Sequence, residues 1–129
     1  MKKPKVIITR RLQDRVEKRM KELFNVDLSS AEYPISKQEL LSAVKDAEIL
    51  VPTIGDKIDA SILSAASSKL KLIANYGAGY DHIDIKTASQ RGIIVTNTPS
   101  VLTTDTADMT MALILAIPRK LREGLSLIH

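Results

Sequence analysis

The segment Leu70-Lys-Leu-Ile-Ala-Asn75-Tyr-Gly-Ala-Gly79-Tyr-Asp-His-Ile-Asp84, followed by a polar stretch and then Arg91-Gly-Ile-Ile-Val-Thr96-Asn-Thr-Pro99, decides the fold of this 129-residue chain. Residues 71–74 and 93–96 are short continuous apolar runs bounded by turn residues, the pattern of strands buried on both faces of a parallel sheet. Between them Asp84 N-caps a helix that runs to Arg91, and Gly92 ends it at the C′ position. The unit reads strand, glycine turn, helix, strand, and parallel strands require such a crossover.

Working outward, the same unit recurs. Residues 5–9 form a β-branched strand, and Leu12, Val16, Met20, Leu23 and Phe24 follow at helical spacing. Residues 25–28 form a weaker strand; Ser36 stands three residues before Glu39 as a capping box, ahead of a helix burying Leu40, Leu41 and Val44. Residues 48–51 give the third strand, closed by Pro52, and Asp59 N-caps a helix through Ile62, Leu63 and Ala66. Five such repeats predict an α/β fold: a flavodoxin-like parallel five-stranded sheet with helices on both faces.

The last segment reads differently. From 101 to 121, Leu102, Met109, Met111, Leu113, Ile114, Leu115 and Ile117 nearly encircle a helix, which predicts a long apolar C-terminal helix bent or broken at Pro118. A helix apolar all round has to be buried, so it is expected to pack against a second copy of the chain or to swap between copies, giving a homo-oligomer. The chain therefore divides into a domain over 1–100 and a terminal helix over 101–129.

Composition limits the function classes. Forty-four per cent of residues are apolar and 26% charged, with five Gly and five Pro, so disorder and fibrous repeats are excluded. Three Tyr, one Phe and no Trp leave little for stacking single-stranded nucleic acid. The net charge is +4, and Lys2, Lys3, Lys5, Arg10, Arg11, Arg15, Lys18, Arg19 and Lys21 crowd the first 24 residues. Asp14, Glu17 and Glu22 are interleaved, with Asp14–Lys18 and Glu17–Lys21 at i, i+4 spacing, so the basic helix reads as solvated and neither a nucleic acid nor a membrane is an expected partner. No cysteine is present, which excludes disulfides and Cys–metal sites, and no metal site is expected. The run 6–8 is too short for a signal peptide and 111–117 too short for a membrane span, so the expected location is cytoplasmic.

In open parallel sheets ligands collect at the carboxyl ends of the strands. The loops there are Thr9-Arg-Arg11, Pro52-Thr-Ile-Gly55 and Asn75-Tyr-Gly-Ala-Gly79. A receiver domain needs carboxylates after the first and third strands, where this chain has Arg10 and Pro52-Thr53. A flavodoxin phosphate loop is equally foreign to Arg-Arg-Leu-Gln. Gly77-Ala-Gly79 lacks the third small residue of a dinucleotide fingerprint, because position 82 is His82. What remains is a backbone anion cradle suited to a carboxylate. Gly77 and Gly79 also fit a turn that simply needs φ > 0, and Asn75 fits a cap on strand-end backbone groups.

The decapeptide 75–84, the run 91–99 and Leu102-Thr-Thr-Asp-Thr-Ala-Asp-Met109 together resemble the N-terminal substrate-binding lobe of the D-isomer-specific 2-hydroxyacid dehydrogenases, and within them the glyoxylate/hydroxypyruvate reductases. The resemblance covers essentially the whole chain, Lys57-Ile-Asp-Ala60 included. It implies that backbone N–H groups at Ala78 and Gly79 hold the carboxylate of a 2-oxo acid, with Tyr76 and Gly77 shaping the turn and Thr53 and Ile54 lining the same pocket. It implies that Ala78 and Thr106 contact a nicotinamide cofactor, NAD or NADP. Capping and the helix dipole favour Thr106, Asp105 and Asp108 at a helix start without any ligand.

The family's dinucleotide fingerprint, its catalytic Arg and its His–carboxylate pair have no counterparts here. His82 and His129 stand in other contexts, and His82 reads as a surface or packing residue. The expectation is thus the front part of an NAD(P)H-dependent reductase of glyoxylate or hydroxypyruvate, truncated, without its cofactor domain and inactive alone. The alternative is a non-catalytic oligomerising or ligand-binding module decayed from such an enzyme.

Overall fold

The computed structural model describes residues 2–29 and 34–128; His129 lies outside them. The chain forms two compact units, residues 1–98 and 99–129.

The first unit alternates strand and helix: β1 (Lys5–Ile8), α1 (Asp14–Leu23), β2 (Asn25–Leu28), α2 (Lys37–Asp46), β3 (Ile49–Val51), α3 (Ala60–Ala65), β4 (Leu72–Ala74), α4 (Ile85–Gln90) and β5 (Ile94–Thr96). All pairings are parallel and the order is β2-β1-β3-β4-β5, the flavodoxin-like arrangement that the sequence pattern predicts. The register puts Ile7 beside Leu50, Leu50 beside Ile73 and Ile73 beside Val95.

Because side chains alternate along a strand, that row lies on one face. It packs with Leu40, Ala43 and Val44 of α2, Ile62 and Leu63 of α3 and Ala88 of α4. Val6, Ile8 and Val51 point the other way and pack with Met20 of α1 and with Phe24. Helices thus cover both faces. Full burial of Leu50, Ile62, Leu63 and Ile73 stabilises the unit by about 1.5–3 kcal/mol per side chain.

The caps are those the sequence marks. Ser36 and Glu39 form a reciprocal capping box, the Asp59 carboxylate accepts from the Ser61 and Ile62 amides, and Asp84 accepts from the Thr87 amide. Gly92 has φ +67°. One detail of α1 differs from expectation: instead of i, i+4 pairs, Arg11 pairs with Asp14 and Arg19 with Glu22, while Glu17 turns back to accept the Leu12 amide at 2.8 Å. Glu17 thereby satisfies an amide just ahead of the helix.

The second unit corrects the expectation of one long helix over 101–121. Helix α5 (Thr103–Ala116) stops short of Pro118, and a separate six-residue α6 (Leu121–Ser126) follows. Proline has no N–H to continue the ladder, and Lys120 adopts a left-handed φ of +49°, which no helix continues through. Asp105 lies in the first turn of α5, whereas Asp108 lies beyond it, and Leu102 at the N-cap supplies no side-chain cap. No residue of α5 or α6 is buried.

Candidate functional site

The carboxyl ends of β1, β3 and β4 are tied together by polar groups that the apolar pattern does not announce. Asp56 is 1% exposed, and its Oδ2 accepts from the Thr53 amide at 2.8 Å, from Thr53 Oγ1 at 3.3 Å and from Thr9 Oγ1 at 2.5 Å. Thr9 is locked further by its own amide, which donates to the Val51 carbonyl. A buried carboxylate is costly unless hydrogen-bonded, so these three donors account for Asp56 being tolerated there. Its Oδ1 and Arg10 Nε are buried with no hydrogen-bond partner among the described residues.

This knot carries the loop after β3 to the glycine turn. Thr53 and Tyr76 form an isolated parallel bridge, and the Tyr76 amide donates to the Pro52 carbonyl at 2.9 Å. Thr53 is buried with its hydroxyl committed to Asp56, while Ile54 is 70% exposed. Tyr76 is also exposed; with Arg10, Arg11, Leu12 and Gln13 it lines an open recess of about 430 Å³.

At the turn itself, side chains hold the carbonyls and leave two adjacent amides free. Asn75 Nδ2 donates to the Gly77 carbonyl at 3.1 Å and the Gly79 carbonyl at 2.9 Å. Asn97 Nδ2 donates to the Ala78 carbonyl at 2.7 Å, and the Thr98 amide adds a second bond to Gly77. In a planar trans peptide the C=O and N–H point opposite ways. Fixing the Gly77 and Ala78 carbonyls on asparagine amides therefore turns the Ala78 and Gly79 N–H groups away from them. Neither N–H has a hydrogen-bond partner among the described residues. Two adjacent unbonded donors are a ready anion site.

The glycines are not there for backbone strain. Gly92 is the only glycine with positive φ among the described residues, so the φ > 0 reading of Gly77 and Gly79 is set aside. A Cβ at Gly79 would meet nothing within 4 Å, and one at Gly77 only ordinary contacts. Nothing in the chain's own packing demands glycine at 79, and the space beside its backbone is open.

His82 follows the turn and is half-buried; its Nε2 lies 3.0 Å from Asn75 Oδ1. Burial holds the ring below the ordinary imidazole value, and the charges of Asp56 and Asp81 oppose that shift without reversing it. Thr106 is exposed in the first turn of α5. The turn does not suit a dinucleotide: the next helix starts only at Ile85, and His82 occupies the third small position of that fingerprint. No group of three or more metal-ligating side chains occurs among the described residues, and none of their helices is long and apolar enough to cross a membrane.

The structure brings Thr53, Tyr76, Gly77, Ala78 and Gly79 together at the ends of β3 and β4. Sequence reasoning gave no role to Asn97 or Asp56, and it marked Thr9 only as part of the loop after β1. Asn75 and Asn97 each directly follow an apolar strand run, a shared position that could have signalled them.

The family model of the D-isomer specific 2-hydroxyacid dehydrogenase, catalytic domain, matches residues 6–122. The chain belongs to that family. It is 46% identical over 122 residues to the glyoxylate reductase of Thermococcus onnurineus, covering 95% of this chain and 36% of that protein. Among solved structures, the TT0316 protein from Thermus thermophilus superposes with a TM-score of 0.83 at 42% identity, over 95% of this chain and 39% of that one. The NAD+-bound 3-phosphoglycerate dehydrogenase of Entamoeba histolytica superposes with a TM-score of 0.71 at 28% identity, over 88% and 39%. This member of the 2-hydroxyacid dehydrogenase family thus spans little more than a third of the length of the curated relative it matches.

Proposed function

We propose that the chain is the 2-oxo-acid-binding part of an NAD(P)H-dependent reductase that converts glyoxylate or hydroxypyruvate to the D-2-hydroxy acid. The observation that carries this reading is the pair of unbonded N–H groups at Ala78 and Gly79, aimed outward by Asn75 and Asn97. A carboxylate has two oxygens to accept them, and charge-assisted bonds of this type are about twice as strong as neutral ones. Ile54 and Tyr76, both exposed beside the turn, supply apolar surface for the rest of a small acid. Thr53 contributes by holding that loop.

The bound nicotinamide cofactor supplies the hydride in such a reaction. Ala78 and Thr106 are each assigned a contact with it on the family resemblance alone. The histidine beside the turn, His82, is committed to Asn75 Oδ1, so the chain alone is assigned binding without turnover. Titration with oxalate should move the Ala78 and Gly79 amide resonances, while NADPH with glyoxylate should show no oxidation. Unmoved amides would refute the carboxylate site, and measurable turnover would refute the division of labour.

A second reading has its own support in α5. Its exposed apolar surface suits a homo-oligomer formed through the 101–121 segment, the role of an assembling module with or without catalysis.

A further inference from the structure

Asn75 is 3% exposed, and its amide group is fixed from both ends. The Gly77 and Gly79 carbonyls can only accept, so the NH2 must face them, and the oxygen Oδ1 must face His82. That oxygen in turn requires a donor, so the proton of the neutral imidazole is on Nε2. Protonation adds a second N–H without removing this one, and the bond survives in either charge state.

We propose that His82 is a positioning residue for the carboxylate site: its Nε2–H, donated to Asn75 Oδ1, locks the Asn75 amide so that the Gly77 carbonyl stays inward and the Ala78 N–H outward. The assignment rests on the carboxylate reading of the turn given above. Without the histidine, Asn75 can rotate about its terminal torsion, which is soft, and the two carbonyls lose a fixed donor. His82 is well placed to transmit rigidity. Its own carbonyl accepts the Ile58 amide at 2.8 Å, and Ile58 and Ile83 are buried and paired as a parallel bridge. The ring is thereby anchored to the framework between β3 and α3, while its free end reaches the turn. A hydrogen bond that polarises the Gly77–Ala78 peptide also strengthens the Ala78 donor toward an anion.

The test uses the 129-residue chain labelled with 15N. The His82 ring should be found as the Nε2–H tautomer at neutral pH; the Nδ1–H tautomer overturns the assignment without any substitution. His82→Ala should shift the amides of 77–79, leave the rest of the spectrum in place, and weaken oxalate about tenfold, roughly the worth of one charge-assisted hydrogen bond. His82→Gln, whose side-chain NH2 can donate to the same oxygen, should recover most of that loss. A folded His82→Ala that keeps wild-type shifts and oxalate affinity overturns the positioning role alone. If oxalate leaves the unsubstituted chain unmoved, the carboxylate reading falls, and this role with it.

Discussion

At the scale of single residues, the glycine turn and the helix end show two different uses of glycine. Gly92 sits at φ +67°, which disfavours any L side chain, whereas Gly79 has ordinary φ and open space around it. Gly92→Ala should therefore lower stability by roughly 1 kcal/mol, read from chemical denaturation, with oxalate binding intact. Gly79→Ala should do the opposite, leaving the midpoint in place while its methyl group obstructs an anion approaching the backbone. His82 gives a pH signature. Burial lowers its folded pKa from 6.5, so between that lowered value and 6.5 the unfolded chain binds more protons than the folded one. Its contribution is complete above pH 6.5 and declines as pH falls through that window. Melting temperature should drop more steeply from pH 7.5 to 5.5 for the unsubstituted chain than for His82→Gln, and parallel curves would exclude the histidine as the titrating group.

Elements were legible wherever a local signal set them. Apolar runs located all five strands to within a residue, and Ser36, Asp59 and Asp84 marked helix starts that the structure places where the capping chemistry requires. Ser36→Ala removes the acceptor for the Glu39 amide and should destabilise the chain by about 1 kcal/mol in denaturant unfolding. The Glu39 carboxyl is held below its ordinary value of 4.5 because Ser36 donates to it, so the stability from that separate bond is present above pH 4.5 and is lost as pH falls through the lowered folded value. The site was less legible than the elements. Gly77–Gly79 stood out by composition, but what orients their peptides is Asn75, Asn97 and, through Thr53, Asp56. These residues come from loops after three different strands, and only the parallel register brings them together. Glu17 departs from the helical spacing for a different, local reason: its carboxylate accepts the Leu12 amide five residues back.

At the scale of the whole molecule, α5 carries an unresolved demand for burial. A helix of 14 residues is marginal in water on its own, and α5 presents Met109, Met111, Leu113, Ile114 and Leu115, each more than half exposed. Covering what remains exposed of three such side chains on each of two copies would contribute roughly 5 kcal/mol or more, comparable with the lower estimates for the entropy lost on association. The apolar pattern leads to the expectation of a covering surface, but a pattern running all round a helix has no single face to say where. A second copy offers that surface by symmetry, since the same stripe is available on both chains. The chain should therefore scatter light as a dimer or larger at micromolar concentration. Replacing Leu113 and Ile117 together by Lys should shift it toward monomer and reduce helical circular dichroism, because the helix loses the contact that supports it. A clean monomer that binds no apolar dye would show that α5 stands without a partner, and homo-oligomerisation through 101–121 would have to be abandoned.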